Sequence, residues 1–131
     1  MGGLDVARKA LILARVVGHR LEMSDVAVEP LYPPQLSTCS VPDFIANYSR
    51  ECDRKYAARA LAAEQRGQVL RYVARIDEAG CRVGLQEVPV DSPLGRLQGT
   101  DNIMQLRSTV YSKSPLVIQG LLPAVFFYCA L

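Results

Sequence analysis

Between Asp5 and Val17 the apolar residues Val6, Ala10, Leu13, Ala14 and Val17 recur at helical spacing, and Leu11 and Ile12 widen the stripe. That pattern predicts an amphipathic helix over 5–17, ended by Gly18. In the next stretch a Ser24-Asp25 turn signal precedes the alternation Val26, Val28 and then Leu31, so a short strand is expected to end at the Pro33-Pro34 breaker. Ser40 ahead of Pro42 and Asp43 marks another helix start, the hydroxyl capping free N–H groups and the carboxylate favouring the positive helix end. Two helices fit the following residues better than one, with a break near 50–53 and an Ala-rich run from Tyr56 to Gln65 that stops at Gly67. Beyond Gly67 the period becomes two: Val69, Arg71, Val73 and Arg75 alternate with Leu70, Tyr72, Ala74 and Ile76. Asp77-Glu78-Ala79-Gly80 then turns the chain into Arg82 to Val88, which predicts a hairpin. Two further strands, 102–111 and 116–119, are expected around a Ser112-Lys113-Ser114-Pro115 turn. This order of elements predicts an α+β domain with its helices on one face of a mixed, largely antiparallel sheet.

The final residues, 116–131, are apolar apart from Gln119, and 121–131 carry no charge. They fall short of the roughly 18–20 residues that span a bilayer, and Gly120 and Pro123 interrupt them, so a core strand or an artefact is expected and no membrane partner. With 131 residues, half of them hydrophobic, the chain suits one core. Its 15 basic and 13 acidic residues leave a formal charge of +2 that is scattered along the sequence, which excludes the basic block of a nucleic-acid binder. Cys39, Cys52, Cys81 and Cys129 are too widely spaced for a metal or redox motif and have only His19 to help them, so they read as free thiols in a reducing compartment and no metal site is expected. The N-terminus is neither a signal peptide nor an anchor, and a helix pattern that begins almost at once reads as the middle of a longer protein.

One pair carries candidate chemistry. Asp5 and Lys9 lie four apart on the first helix and project from one face, able to reach a single ligand together. An Asp-x-x-x-Lys pair on an arbitrary helix is usually a surface ion pair worth about 0.3–0.5 kcal/mol. The positive dipole end of the helix disfavours a charged ammonium in its first turns, which suits a lysine to proton transfer.

The residues around this pair supply more. Gly3-Leu4-Asp5-Val6-Ala7-Arg8-Lys9 resembles the GxDVARK segment of homoserine dehydrogenases, and ALILA at 10–14 continues the same helix. LEMSDVAVEPLYPP at 21–34, GQVLRYV at 67–73, GTDN at 99–102 and PLVIQG at 115–120 are similar to further family segments in family order, and the 40–66 stretch looks most like the dehydrogenase half of bifunctional aspartokinase–homoserine dehydrogenases. The resemblance implies residues 1–120 as part of the catalytic, substrate-binding domain, with 121–131 an atypical apolar tail and the nucleotide-binding domain absent. It implies NAD(P)-dependent interconversion of L-homoserine and L-aspartate 4-semialdehyde, on the way to threonine, methionine and isoleucine. Lys9 matches the catalytic lysine and Asp5 the acidic residue that holds the substrate. NADP or NAD would be bound mainly by the missing half, so cofactor-binding residues stay unknown; no GxGxxG follows any expected strand here. A homodimer is implied, in bacterial cytoplasm or plastid stroma, and the 131 residues alone are expected to be inactive. At the far end the family runs on into a glycine-rich loop, whereas this chain reads Leu121-Leu122-Pro123-Ala124.

A competing reading is a non-catalytic dimerisation or binding module derived from the same domain, distinguished by the lack of nucleotide or homoserine affinity. A small-molecule regulatory domain shares the α+β pattern but gives no account of Asp5 and Lys9. His19, behind the Gly18 cap, reads as a cation near a helix end, Arg71 and Tyr72 as sheet residues, and Asp101-Asn102 as a turn.

Overall fold

In a computed structural model that describes residues 2–99, 101–120 and 126–130, the last of these as backbone alone, helix α1 (Leu4–Val16) buries Ala7, Ala10, Leu11 and Ala14. Their i, i+3, i+4, i+7 spacing makes one stripe, and three alanines in it bring the helix axis close to the sheet beneath. The helix stops where expected: Gly18 takes φ 101°, and the N–H groups of Gly18 and His19 donate to the Arg15 and Ala14 carbonyls at 3.1 and 3.0 Å. A 3-10 turn (Met23–Asp25), closed by the Glu22 N–H on the Asp25 carboxylate at 2.7 Å, leads into β1 (Val26–Val28).

Helix α2 (Val41–Asn47) begins at Ser40, whose Oγ accepts from the Asp43 N–H at 3.3 Å. Helix α3 (Ser49–Glu64) follows after Tyr48 alone, so the break falls ahead of the expected 50–53. The Ser49 hydroxyl donates back to the Ile45 carbonyl over 2.7 Å and lets the new helix start at once, leaving the charged Arg50, Glu51 and Asp53 as its exposed first turn. The hairpin is β2 (Gln68–Asp77) and β3 (Gly80–Pro89), ten residue pairs in antiparallel register from Gln68↔Pro89 to Asp77↔Gly80. A single helical turn, α4 (Pro93–Arg96), was not anticipated; the Ser92 hydroxyl caps it by accepting from the Gly95 N–H at 3.0 Å. Strand β4 (Asn102–Arg107) ends before the expected Tyr111, because the chain turns back where the Tyr111 N–H donates to the Ser108 hydroxyl at 3.2 Å. Strand β5 is Leu116–Gly120, and β6, Phe126–Ala130, comes from the apolar tail; the expectation for 121–125 and 131 lies outside the described residues.

Among the described residues six strands form one sheet in the order β1-β3-β2-β6-β4-β5. The β2/β3 and β4/β5 pairs are antiparallel, and β1/β3, β2/β6 and β4/β6 are parallel, so the class is α+β with a mixed sheet, as expected. Under α1 the sheet presents Val26, Ala74, Ile76, Cys81 and Val83, all buried. On the opposite face Leu94 and Leu97 pack with Val88, Ile103 and Val69, so α4 covers the side that α1 does not. Among the described residues no helix is long and apolar enough to cross a membrane.

Candidate active site

Because positions 7, 10, 11 and 14 face the sheet, positions 5 and 9 are carried to the flank of α1. There Lys9 Nζ meets Asp5 Oδ2 at 2.9 Å, with the lysine side chain 38% and the carboxylate side chain 74% exposed. The structure therefore brings together the two residues singled out in the sequence. An exposed i,i+4 pair is worth about 0.3–0.5 kcal/mol, so it opens readily to a ligand that offers better partners. Lys9 has protons to donate and Asp5 is an acceptor one turn away, an arrangement that can bracket a small molecule bearing an oxygen at one end and a cation at the other.

The start of α1 is fixed from below. Gly3 is its N-cap, at φ 77° and without a side-chain cap, and its carbonyl accepts from the Ala7 N–H at 2.9 Å. A Cβ on Gly3 would overlap the Tyr72 hydroxyl and stand 3.0 Å from Val28 Cγ1. Tyr72 donates that hydroxyl to the Glu29 carbonyl at 2.8 Å, and Tyr56 of α3 donates to the Leu31 carbonyl at 2.6 Å. Burial first, then the Glu29 charge and the neighbouring Tyr56, push the Tyr72 phenol above its usual value. Burial also leads for Tyr56, with Cys52 and Glu29 adding to it and outweighing the opposing Arg59. Both phenols thus stay protonated donors at neutral pH. Glu29 is itself flanked by Arg59, whose Nη1 lies 3.8 Å from its carboxylate and whose Nη2 donates to the Leu85 carbonyl at 3.0 Å.

Other concavities lie away from this pair. One, about 500 Å³, is an open cleft on the sheet bordered by Ala27, Glu29, Arg75, Arg82, Gly84 and Gln86, and neither Asp5 nor Lys9 lines it. At its margin Asp77 takes Arg75 Nε at 2.7 Å and Arg82 Nη2 at 3.2 Å. Among the described residues no strand leads through a glycine-rich turn into a helix: β1 runs into Glu29-Pro30, and β2 turns directly into β3. The residues present therefore do not form a dinucleotide cradle.

Of the remaining sequence candidates, Asp101 is tied to Gln119 by a hydrogen bond from Nε2 at 3.0 Å, Cys39 and Cys52 are free thiols, and Cys81 is buried under α1. Arg71 and Tyr72 do more than alternate on a strand. Arg71 donates to the Leu94, Gly95 and Leu97 carbonyls at 3.1, 2.8 and 3.1 Å and so holds α4, while Tyr72 reaches the start of α1. The glycine pair ahead of Leu4 was the available signal for that close approach.

The family model described as homoserine dehydrogenase matches residues 1–123. The bifunctional aspartokinase/homoserine dehydrogenase 2 of Escherichia coli is 41% identical over 121 residues, which are 92% of this chain and 15% of that protein. The chloroplastic bifunctional aspartokinase/homoserine dehydrogenase 2 of Zea mays is 38% identical over 122 residues, 92% of this chain and 13% of that one. The homoserine dehydrogenase of Emericella nidulans is 39% identical over 127 residues, 92% of this chain and 34% of its own length, so bifunctional and single-function relatives match alike. A crystal structure of a Candida auris protein of unknown function superposes with TM-score 0.79 and 31% identity, covering 92% of this chain and 34% of that one. The chain thus spans between 13% and 34% of the length of these relatives. By a match that runs from the first residue to position 123 and takes in the Asp5–Lys9 helix and most of the sheet, this chain belongs to the homoserine dehydrogenase family.

Proposed function

We propose that residues 1–120 are the substrate-handling part of an NAD(P)-dependent homoserine dehydrogenase, the dinucleotide-binding unit being supplied by polypeptide outside these residues. The observation that carries this reading is the Asp5–Lys9 pair, 2.9 Å apart on the open flank of the helix that matches the family. When L-aspartate 4-semialdehyde is reduced, the nicotinamide supplies the hydride. Lys9 then donates a proton from Nζ to the aldehyde oxygen, and in the reverse direction it takes the proton from the hydroxyl of L-homoserine. Asp5, freed from Lys9 when substrate enters, accepts the substrate's ammonium hydrogens and fixes its orientation. The four-residue offset sets the two Cα atoms about 6 Å apart along the helix axis, so the side-chain groups, in contact in the closed pair, can part to the scale of a four-carbon amino acid.

The remaining parts of the reading follow from the same family membership. The product feeds the synthesis of threonine, methionine and isoleucine, and the compartment is cytoplasm or, as for the chloroplastic Zea mays relative, a plastid. The sheet over 68–89 and 102–120 pairs with a second copy of the chain, a reading supported by the open cleft over Ala27, Arg75 and Gly84 and by exposed Leu116, Val117 and Ile118. NADPH oxidation with aspartate 4-semialdehyde tests the central claim. A protein joining these residues to the dinucleotide-binding unit turns over, and the 131 residues alone do not exceed a heat-treated control. Turnover by the 131 residues alone would overturn the placement of the cofactor site outside them.

A further inference from the structure

Helix α1 rests on the sheet partly through small side chains. Ala7, Ala10 and Ala14 are fully buried and offer little relief, so Leu11, with Val6, Leu13 and Val17 at the edge, supplies the knobs that hold the helix against sliding or tilting. Arg15 ties the far end of the helix to the Leu21 carbonyl at 2.9 Å, and at its start, next to Asp5 and Lys9, Gly3 lies against the Tyr72 hydroxyl. That hydroxyl is itself held on the Glu29 carbonyl at 2.8 Å. Glu29 in turn is anchored to the sheet by its own N–H, which donates to the Val83 carbonyl at 2.8 Å. The ring stands on β2, two residues from fully buried Ala74 and four from fully buried Ile76. A rigid path therefore runs from the sheet through Tyr72 Oη to Gly3, two residues ahead of Asp5 and six ahead of Lys9.

We propose that Tyr72 is the positioning residue of the Asp5–Lys9 pair, its hydroxyl setting through Gly3 the height and tilt of the first two turns of α1. The proposal rests on the reading of Lys9 as proton donor, but its test does not need turnover. The chain has three lysines, Lys9, Lys55 and Lys113, so the two others serve as internal controls. Limited acylation of the 131-residue chain, followed by peptide mass spectrometry, gives the reaction rate of each amine, and 13C-dimethylation gives each a resolved NMR signal. Tyr72→Phe keeps the ring and deletes the hydroxyl. Lys9 should then acylate about fivefold faster and its signal should move, as expected when one hydrogen bond's worth of restraint is lost. Lys55 and Lys113 should keep their rates and the melting transition should persist.

Gly3→Ala forces a Cβ against the hydroxyl and should also release Lys9, and the double variant should fall short of the product of the two single effects, because removing the hydroxyl relieves part of the overlap. If Gly3→Ala does not fold, Tyr72→Phe decides alone. An unchanged Lys9 rate in Tyr72→Phe overturns the positioning role whether or not the dehydrogenase reading holds, and so does a uniform acceleration of all three lysines. Selective release of Lys9 beside an inactive intact enzyme would instead count against the dehydrogenase reading only.

Discussion

Replacing Arg71 by Met is the sharpest test of how α4 is held. The guanidinium reaches the Leu94, Gly95 and Leu97 carbonyls at 3.1, 2.8 and 3.1 Å, and its Nη1 also meets the Leu70 carbonyl at 3.2 Å. A helix of one turn has no internal partner for its last carbonyls, so these bonds finish what α4 cannot finish itself. Methionine keeps most of the apolar stem but removes every donor. A hydrogen bond to a charged group contributes about 1.5–3 kcal/mol, yet the site is only part-buried, water can replace some partners and the losses overlap, so the expected cost is about 3 kcal/mol rather than the sum. For a chain of this size that corresponds to a melting point lower by about 10 °C, or a urea midpoint lower by about 2 M. Arg71→Lys should recover only part of the loss, because one ammonium cannot span three carbonyls fixed to the shape of a planar fork. Urea unfolding followed by circular dichroism gives the answer. A destabilisation under about 1 kcal/mol in Arg71→Met would refute the reasoning and leave buried Leu94 and Leu97 as the whole attachment of α4.

In the intact dehydrogenase, Lys9→Ala should lower kcat about 10²–10⁴-fold with stability within about 0.5 kcal/mol of the parent, and normal turnover in the folded variant would remove Lys9 from the mechanism. Asp5→Ala should also raise KM, since a group that holds the substrate acts in ground and transition states alike; steady-state kinetics separates the two variants. Burial pushes the Asp77 carboxyl upward, but the hydrogen bonds from Arg75 and the Ala79 N–H and the charges of Arg75 and Arg82 outweigh it and hold the carboxyl below 3.8. Its stabilisation is therefore complete above that value and lost as pH falls through the lower folded value, so Asp77→Asn should melt earlier at pH 7 and match the parent in strong acid; a pH-independent difference contradicts this. Light scattering at micromolar concentration should give a dimer, and a monomer would count against pairing through the sheet.

Helix α1 and the β2/β3 hairpin were legible because each repeats one period over ten or more residues, so that single substitutions cannot blur it. The single turn α4 was not, although Ser92-Pro93 repeats the start signal that Ser40 and Pro42 gave for α2; four residues leave no periodicity to read. The order of strands was hidden for another reason. Which strand lies beside β2 depends on pairings such as Ala74↔Phe127, and no local pattern encodes them. At the site, Asp5 and Lys9 could be found because helical spacing alone makes them neighbours. Tyr72 and Gly3 meet only through the sheet, and on its strand Tyr72 looks like any aromatic at an alternating position.

The place of β6 has a consequence for the order in which the molecule forms. It joins β2 to β4 as a parallel rung, and it follows both hairpins in sequence. During synthesis the β2/β3 and β4/β5 hairpins emerge first, and each can close locally within microseconds. They cannot become one sheet until Phe126–Ala130 has left the ribosome and threaded between them. Until then β4 and β5 are a bare two-stranded ribbon, which is marginal in water, and the sides of β2 and β4 that await β6 are open to pairing with other chains. Joining of the two hairpins is thus gated by β6, and a nascent chain paused before residue 126 leaves both of their inner edges exposed to aggregation.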